Sequence, residues 1–156
     1  MLNRLTKLRE ERQDKEGGFT LIELLVVVVI IGILIAIAIP LYLNYKKGAN
    51  DKGAQSDMRN AINVLEQCNT DNSAYPSALG TASGNSYNAM TGCANQQINF
   101  SANTTMAYTS ASPYSSYILA DGNSSGSGKI YCYNSTKGGS VKDVSGTGVT
   151  IANATC

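Results

Sequence analysis

The stretch Gly17-Gly18-Phe19-Thr20-Leu21-Ile22-Glu23 leads into an apolar run that continues to Leu43. From Leu24 to Ile39 no side chain carries a charge or a hydrogen-bonding group, and the next few residues extend the run to about the twenty needed to span a bilayer. Glu23 places a single carboxylate at the start of this run. An ionised side chain within hydrocarbon costs about 2.5 to 3.5 kcal/mol, so we expect Glu23 to have a partner or a function.

The flanks of the apolar run differ in charge. Close to the run, basic residues are more numerous on the leader side than on the far side, where Lys46, Lys47 and Lys52 occur; those of the leader are Arg4, Lys7, Arg9, Arg12 and Lys15. The positive-inside rule therefore favours a cytoplasmic leader.

The composition excludes several classes of function. The chain has 156 residues and a formal charge of +1, which allows one small domain and gives no basic footprint for a nucleic acid. Histidine is absent, so the usual general base and the commonest metal ligand are missing. Asp71 and Asp121 belong to no spaced set of oxygen ligands for calcium. We predict no catalytic residue, no metal and no cofactor.

All four cysteines lie beyond the apolar run and form no CxxC pair; they are Cys68, Cys93, Cys132 and Cys156. An even, widely spaced set downstream of an export segment predicts two disulfides in an oxidising compartment, with free buried thiols as the alternative. The spacing leaves all three pairings open.

A helical stripe continues past the apolar run. Its apolar side chains recur at steps of four and three, at Ala54, Met58, Ala61, Leu65 and Cys68. We therefore predict one helix from about Phe19 to Asn69, whose second half covers a sheet.

The rest of the chain is rich in Ser, Thr, Asn, Gly and Tyr, which is typical of loops and strands. Tyr114 to Ala120 and Ile130 to Tyr133 are predicted to form an antiparallel hairpin with a loose tip from Asp121 to Gly128. Val149 to Ala152 is the predicted third strand. A fourth is expected at Ile98 to Ser101 or at Met106 to Thr109. The predicted fold class is α+β.

The apolar run alone has two simpler interpretations. A secretory signal would be cut after the small-residue site Ala36-Ile37-Ala38, and a signal anchor would remain as a passive tether. Neither accounts for Glu23 or for the glycine pair before the run.

The stretch Gly18-Phe19-Thr20-Leu21-Ile22-Glu23-Leu24 resembles the class III signal of type IV prepilins and of type II secretion pseudopilins. The resemblance covers about residues 17 to 45, and it implies a pilin fold. It implies that a membrane-embedded prepilin peptidase cuts after Gly18 and methylates the new amino terminus at Phe19. It further implies that Glu23 lies beside the amino terminus of a neighbouring subunit and sets the register of assembly.

Two more expectations follow from this resemblance. Pilins often lose helical order in the filament between a glycine and a proline, here Gly32 and Pro40, although a simple proline kink is the alternative. The favoured pairing joins Cys68 to Cys93, which would tie the helix end to the variable loop, and Cys132 to Cys156, which would hold the carboxyl terminus on a strand as C-terminal disulfide loops do in many pilins.

The expected organisation is a leader peptide at 1–18, a transmembrane and filament-core helix at 19–45, and a globular part at 46–156. The resemblance implies a type IV pilus subunit that serves adhesion, motility or DNA uptake. Its expected partners are further copies of itself in a helical filament, prepilin peptidase, the inner-membrane assembly machinery and membrane lipid. It would be inserted in the cytoplasmic membrane first and be extracellular in the pilus later.

Two other functions remain open at this stage. The segment Asp71 to Pro76 is similar to the one that follows the helix in type II secretion pseudopilins, whereas the four cysteines and the lack of a calcium loop argue against that class. A minor pilin has the same architecture. A membrane-anchored or secreted binding domain is the alternative of a different class.

Overall fold

The computed structural model describes residues 18–79, 82–83, 86–87, 90, 92–93, 96–148, 150–153 and 156. The elements are helix α1 (Leu21–Asn72), strands β1 (Ala82–Ser83), β2 (Ser86–Tyr87), β3 (Ile98–Asn99), β4 (Thr104–Ser110), β5 (Tyr117–Asn123), β6 (Ile130–Asn134) and β7 (Lys142–Asp143), and a 3₁₀ turn (Ile151–Asn153). The chain divides into two compact units, one that ends at Tyr42 and one from Leu43 to Cys156.

Helix α1 is slightly shifted from the predicted range of Phe19 to Asn69. It begins at Leu21 and continues to Asn72, passing through Pro40. It ends where Ser73 adopts a left-handed backbone conformation with φ of 59°. A residue of this kind stops a helix because it turns the chain out of the helical path. Pro76, three residues further on, has no backbone N–H with which to continue the helix.

The predicted apolar stripe of α1 is confirmed. All five of its residues are buried: Ala54, Met58, Ala61, Leu65 and Cys68. They pack with buried residues of the strands, among them Ile98 and Leu119. The predicted α+β class is also confirmed, since this part of the helix covers antiparallel strands.

The main sheet has four antiparallel strands in the order β4-β5-β6-β7. The predicted hairpin exists as β5 and β6, but its limits were wrong. Strand β5 runs from Tyr117 to Asn123. It begins later than predicted because Tyr114 has a φ of 60°, which is incompatible with an extended strand. The connection is therefore limited to residues 124–129, and Asp121 lies in the strand.

The other strand predictions had mixed outcomes. The third strand was wrong: β7 at Lys142–Asp143 pairs with β6, whereas Ile151–Asn153 forms a 3₁₀ turn. Val149 lies outside the described residues. Both candidates for the fourth strand are strands, since Met106 belongs to β4 and Ile98 to β3. The strand β3 belongs to a separate small sheet in the order β1-β2-β3.

The tip of the hairpin is bonded to α1, contrary to the loose tip that was predicted. The carboxylate of Asp51 accepts hydrogen bonds from the backbone N–H of Ser127, at 3.0 Å, and from its hydroxyl. Asn50 donates its side-chain amide to the carbonyl of Ser125 at 2.8 Å. Asp51 is buried by this contact, and bonding to Ser127 offsets the cost of burying its charge.

A tyrosine cluster joins α1 to the sheet through Glu66. The hydroxyls of Tyr75 and Tyr117 donate to the two carboxylate oxygens of Glu66 at 2.9 and 3.0 Å. The Tyr75 and Tyr117 rings meet edge to face with centroids 4.6 Å apart. Burial, followed by the hydrogen bond to Glu66, raises the pKa of Tyr75 to about 12. The same causes raise the pKa of Tyr117.

Two disulfides hold the Leu43–Cys156 unit together. Cys68 of α1 bonds to Cys93, and Cys132 of β6 bonds to Cys156, with Cα atoms 5.8 and 5.9 Å apart. This is the pairing that the resemblance favoured. The second disulfide holds the C-terminal segment on the sheet, and Ile151 of that segment lies against Gly122 of β5, where an added Cβ would meet it at 3.3 Å.

Candidate functional site at the amino end of the helix

The predicted cleavage point precedes helix α1 and is open to solvent. Gly18, Phe19 and Thr20 have no regular secondary structure and are exposed, with 89% of Phe19 accessible. A Cβ added at Gly18 would meet no other atom within 4 Å. Among the residues that the structure describes, none therefore shields the peptide bond between Gly18 and Phe19 from a protease.

Glu23 closes the first turn of α1 by a reciprocal pair of bonds with Thr20. The Glu23 carboxylate accepts hydrogen bonds from the backbone N–H and the hydroxyl of Thr20, both at 2.8 Å. The Glu23 backbone N–H donates to the Thr20 hydroxyl at 3.3 Å. This arrangement is a capping box, and it satisfies backbone donors that have no partner inside the helix.

This local role of Glu23 was not predicted, although its sequence signal is present: Thr20 is followed three residues later by Glu23. The capping box leaves the carboxylate exposed at the amino end of α1. The positive end of the helix dipole favours a negative charge there. Glu23 is thus held in a defined position and can still accept a further cationic partner.

The first part of the helix leaves its large apolar side chains exposed. The large side chains from Leu21 to Leu43 range from 48% accessible at Ile31 to 87% at Leu21. By length and composition the helix can cross a membrane, and no residue in its most apolar window is buried. An exposed apolar surface of this extent needs either lipid or other helices to cover it.

Gly32 and Pro40 both lie within the continuous helix. Pro40 has no backbone N–H, so the carbonyl of Ala36, one turn earlier, lacks its helical donor. A Cβ added at Gly32 would meet nothing within 4 Å. Both residues therefore weaken the helix, Pro40 through the missing hydrogen bond and Gly32 through its low helix propensity. Their loss of helical order in a filament stays a prediction.

The structure groups only some of the predicted site residues. Gly18, Phe19 and Glu23 lie together around the first turn of α1, and Gly32 and Pro40 follow along the same helix. The four cysteines belong to the Leu43–Cys156 unit. Across the described part of the chain, no three or more carboxylate or cysteine side chains converge on a point where a metal could bind.

The chain combines an exposed apolar helix, a glutamate held in the first turn of that helix, and a small sheet with two disulfides. These features are typical of proteins that insert into a membrane or associate with other subunits through such a helix. The sequence comparison identifies the class further. Residues 13–39 match the family model of the prokaryotic N-terminal methylation motif.

Relatives with curated names match about two fifths of the chain. The chain is 41% identical over 63 residues to type II secretion system core protein G of Escherichia coli, which covers 40% of this chain and 43% of the relative. It is 41% identical over 66 residues to the protein of the same name in Vibrio cholerae, covering 42% and 45%. It is 45% identical over 60 residues to the type IV wide pilus major component PilA4 of Thermus thermophilus, covering 38% and 46%.

These matches support the resemblance of the chain to pilins and pseudopilins. The chain spans less than half the length of the curated relatives that it matches. The residues that the family model matches, 13–39, contain Gly18, Phe19 and Glu23 together with most of the apolar run.

Proposed function

We propose that this chain is a prepilin and that its processed form is the structural subunit of a type IV pilus. The exposed apolar half of α1, with Glu23 positioned in its first turn, is the observation that carries the proposal. Its other half already buries its own apolar stripe against the sheet. The exposed half therefore remains available for association with other subunits. The work of the protein is assembly rather than catalysis.

Processing creates a cationic partner for Glu23. A membrane-embedded prepilin peptidase cuts between Gly18 and Phe19, removes the leader and methylates the new amine of Phe19. That amine is a cation at the end of an apolar helix. When subunits associate, the Glu23 carboxylate of one lies beside the Phe19 amine of its neighbour, so each charge gains a partner. Removing one member of a buried ion pair costs about 3 to 5 kcal/mol, which is enough to select a single register.

Before assembly, the subunit resides in the membrane. The apolar helix is inserted in the cytoplasmic membrane, and the inner-membrane assembly machinery extracts it into the fibre. There, contacts between the helices of many copies replace the contacts with lipid. The completed fibre extends outside the cell, where it serves adhesion, motility or DNA uptake.

Gly32 and Pro40 bound the segment that we propose to lose helical order in the fibre. Both residues weaken the helix, and Pro40 has no backbone N–H to donate to the carbonyl one turn earlier. Hydrogen exchange of purified fibres is expected to be fast between these residues, and slower in a Pro40→Ala fibre. Slow exchange throughout this segment in the wild-type fibre would support a simple kink.

Substitutions at the first turn test the role of Glu23. Glu23→Gln keeps an acceptor for the capping box but removes the charge, whereas Thr20→Val removes the hydroxyl of the box and keeps the charge. If the ion pair guides assembly, Glu23→Gln lowers the yield of sheared fibres at least about tenfold, and Thr20→Val lowers it much less. The amount of processed subunit in the membrane is the control for expression.

Two results would contradict this role. Normal fibre yield from Glu23→Gln would show that the charge is not needed. Equal losses from both variants would assign the importance of Glu23 to its helix cap.

The second candidate is a type II secretion pseudopilin, and the relatives named core protein G favour it. The pilus component from Thermus thermophilus matches a similar length of the chain, so the similarity alone does not separate the two candidates. The two candidates differ in what a deletion strain loses. A pilus subunit is required for long surface fibres and is abundant in them. A pseudopilin is required for protein secretion, and its deletion leaves the fibres unchanged.

The third candidate, a secreted binding domain, requires cleavage after Ala38. That bond lies inside the continuous helix α1, which supports retention of the whole apolar run. Amino-terminal mass analysis of the mature protein separates the two. We expect an N-methylated Phe19 as the first residue. A chain that begins at residue 39 would contradict the proposal.

A further inference from the structure

Asp121 carries a carboxyl group that is completely buried in the core of the Leu43–Cys156 unit. It lies in β5, between β4 and β6, and pairs with Met106 on one side and Tyr131 on the other. Both neighbours are buried members of the core. Neither oxygen of Asp121 has a hydrogen-bond partner among the residues that the structure describes.

Among the residues that the structure describes, none of the groups that act on Asp121 carries a positive charge. Side chains alternate along a strand, so Asp121 shares a face with Tyr117, whose hydroxyl reaches Glu66 on α1. Asp57 of α1 is the charged group that acts on Asp121, and its own carboxylate is engaged with Ser101 at 2.7 and 3.1 Å.

The neighbouring strands do not neutralise it either. On β6 the titratable neighbour is the phenol of Tyr131, and on β4 Met106 has no charge at all. Within the described ranges, one ion pair is found, between the Lys129 ammonium and the Asp143 carboxylate at 3.0 Å. Lys129 is thus paired with Asp143 and not with Asp121.

An ionised carboxylate is very costly in such a place. Desolvation without hydrogen bonds disfavours the charged form, and a nearby negative charge adds to the cost. A neutral carboxylic acid is also unsatisfied there, but its burial costs far less. Burial, followed by the charge of Asp57, raises the pKa of Asp121 to about 8.

We propose that Asp121 is a pH-sensitive element of the fold, packed as a neutral acid between α1 and the sheet, and that loss of its proton weakens the packing of β5 on α1. The inference concerns the Leu43–Cys156 unit and does not depend on whether the chain forms a pilus or a pseudopilus.

The direction of the pH dependence follows from linkage. The folded chain keeps the Asp121 proton up to about pH 8, whereas an unfolded aspartate loses it near its ordinary value of 3.8. The folded state therefore binds more protons between these values. The contribution to stability is complete below about pH 4, falls as the pH rises, and is lost above about pH 8.

The test is chemical unfolding of the full chain in detergent micelles at several pH values from 5 to 8.5, followed by near-UV circular dichroism of the tyrosines. We expect the folding equilibrium constant of the wild type to fall at least about tenfold over this range. In Asp121→Asn, a neutral variant of the same shape, it should change less than about threefold. An equal pH dependence in the two proteins would overturn the proposal.

Asp143→Asn is the matched control. The Asp143 carboxylate is exposed, and bonds from Ser145 and then Lys129 lower its pKa to about 2. Its contribution is lost only as the pH falls below about 4. The control should therefore keep the wild-type slope between pH 5 and 8.5. Loss of that slope in Asp143→Asn would overturn the assignment to Asp121.

A direct titration keeps the test valid if Asp121→Asn does not fold. In the wild-type chain labelled with ¹³C at the aspartate carboxyls, one signal should titrate near pH 8, and in Asp57→Asn the same signal should titrate at a lower pH. The absence of any carboxyl that titrates above about pH 6 would overturn the proposal. Recovery of stability at pH 8 by added Ca²⁺ or Mg²⁺, in the wild type only, would also overturn it, because Asp121 would then be a cation ligand.

Discussion

The two halves of helix α1 follow the same helical geometry and have opposite surroundings. In the first half Leu34 is 61% accessible, and in the second half Leu65 is completely buried. The first half is apolar on every side, whereas the second has an apolar stripe with polar residues beside it. A one-sided stripe can be covered by one sheet. A helix that is apolar all round needs lipid or several neighbouring helices.

This difference separates stability from association. Substitutions in the buried stripe should act on the free energy of unfolding of the Leu43–Cys156 unit. Substitutions in the exposed half should leave that quantity unchanged and act on membrane insertion or on assembly.

The two leucines give the largest expected contrast. Leu65→Ala removes buried methyl groups and leaves a cavity, so the free energy of unfolding should fall by about 2 to 5 kcal/mol. Leu34→Ala should change it by less than about 0.5 kcal/mol, because the side chain has no core contacts to lose. Urea unfolding of the full chain in detergent measures both. Equal effects would contradict the division between the two halves.

The disulfide between Cys132 and Cys156 is the next largest contribution. It closes a sequence separation of 24 residues. The double variant Cys132→Ser, Cys156→Ser should therefore lose about 3 kcal/mol of unfolding free energy through greater freedom of the unfolded chain. The pair Cys68 and Cys93 closes a separation of 25 residues, so chain entropy predicts a similar loss there. A much larger loss for one pair would indicate a packing contribution.

Glu66 is expected to have an intermediate effect. Glu66→Ala leaves the hydroxyls of Tyr75 and Tyr117 without their acceptor, which should cost about 2 kcal/mol. In the Tyr75→Phe background the same substitution should cost less, because one of the two bonds is already gone. Independent, additive effects in this double-mutant cycle would contradict a shared hydrogen-bond network.

The smallest expected effect is at the tip of the hairpin. Asp51→Ala removes the acceptor for two bonds from Ser127 and should cost about 1 to 2 kcal/mol. Asn50→Ala removes one neutral bond to Ser125 and should cost less. Hydrogen exchange of the Ser127 amide is the local measurement, and it should speed up in Asp51→Ala alone. Unchanged exchange would show that the tip is held by other contacts.

Much of the helix could be predicted because its signals are local. The apolar run, the stripe from Ala54 to Cys68 and the acid at Glu23 are visible in short windows of sequence. The strands were harder to predict, because short strands rich in Ser, Thr and Tyr have no strong period. The left-handed conformation of Tyr114 moved the start of β5, and pairing with Thr104 of β4 extended its end to Asn123.

At the amino end, consecutive residues determine the properties of the chain, because cleavage, helix capping and insertion into lipid each depend on residues that are neighbours in sequence. The isolation of Asp121, the acceptor role of Glu66 and the anchoring of Ser127 to Asp51 depend on residues that are distant in sequence. Burial and hydrogen bonding are properties of packed surroundings, and these surroundings exist only when β5 lies between β4 and β6 and against α1.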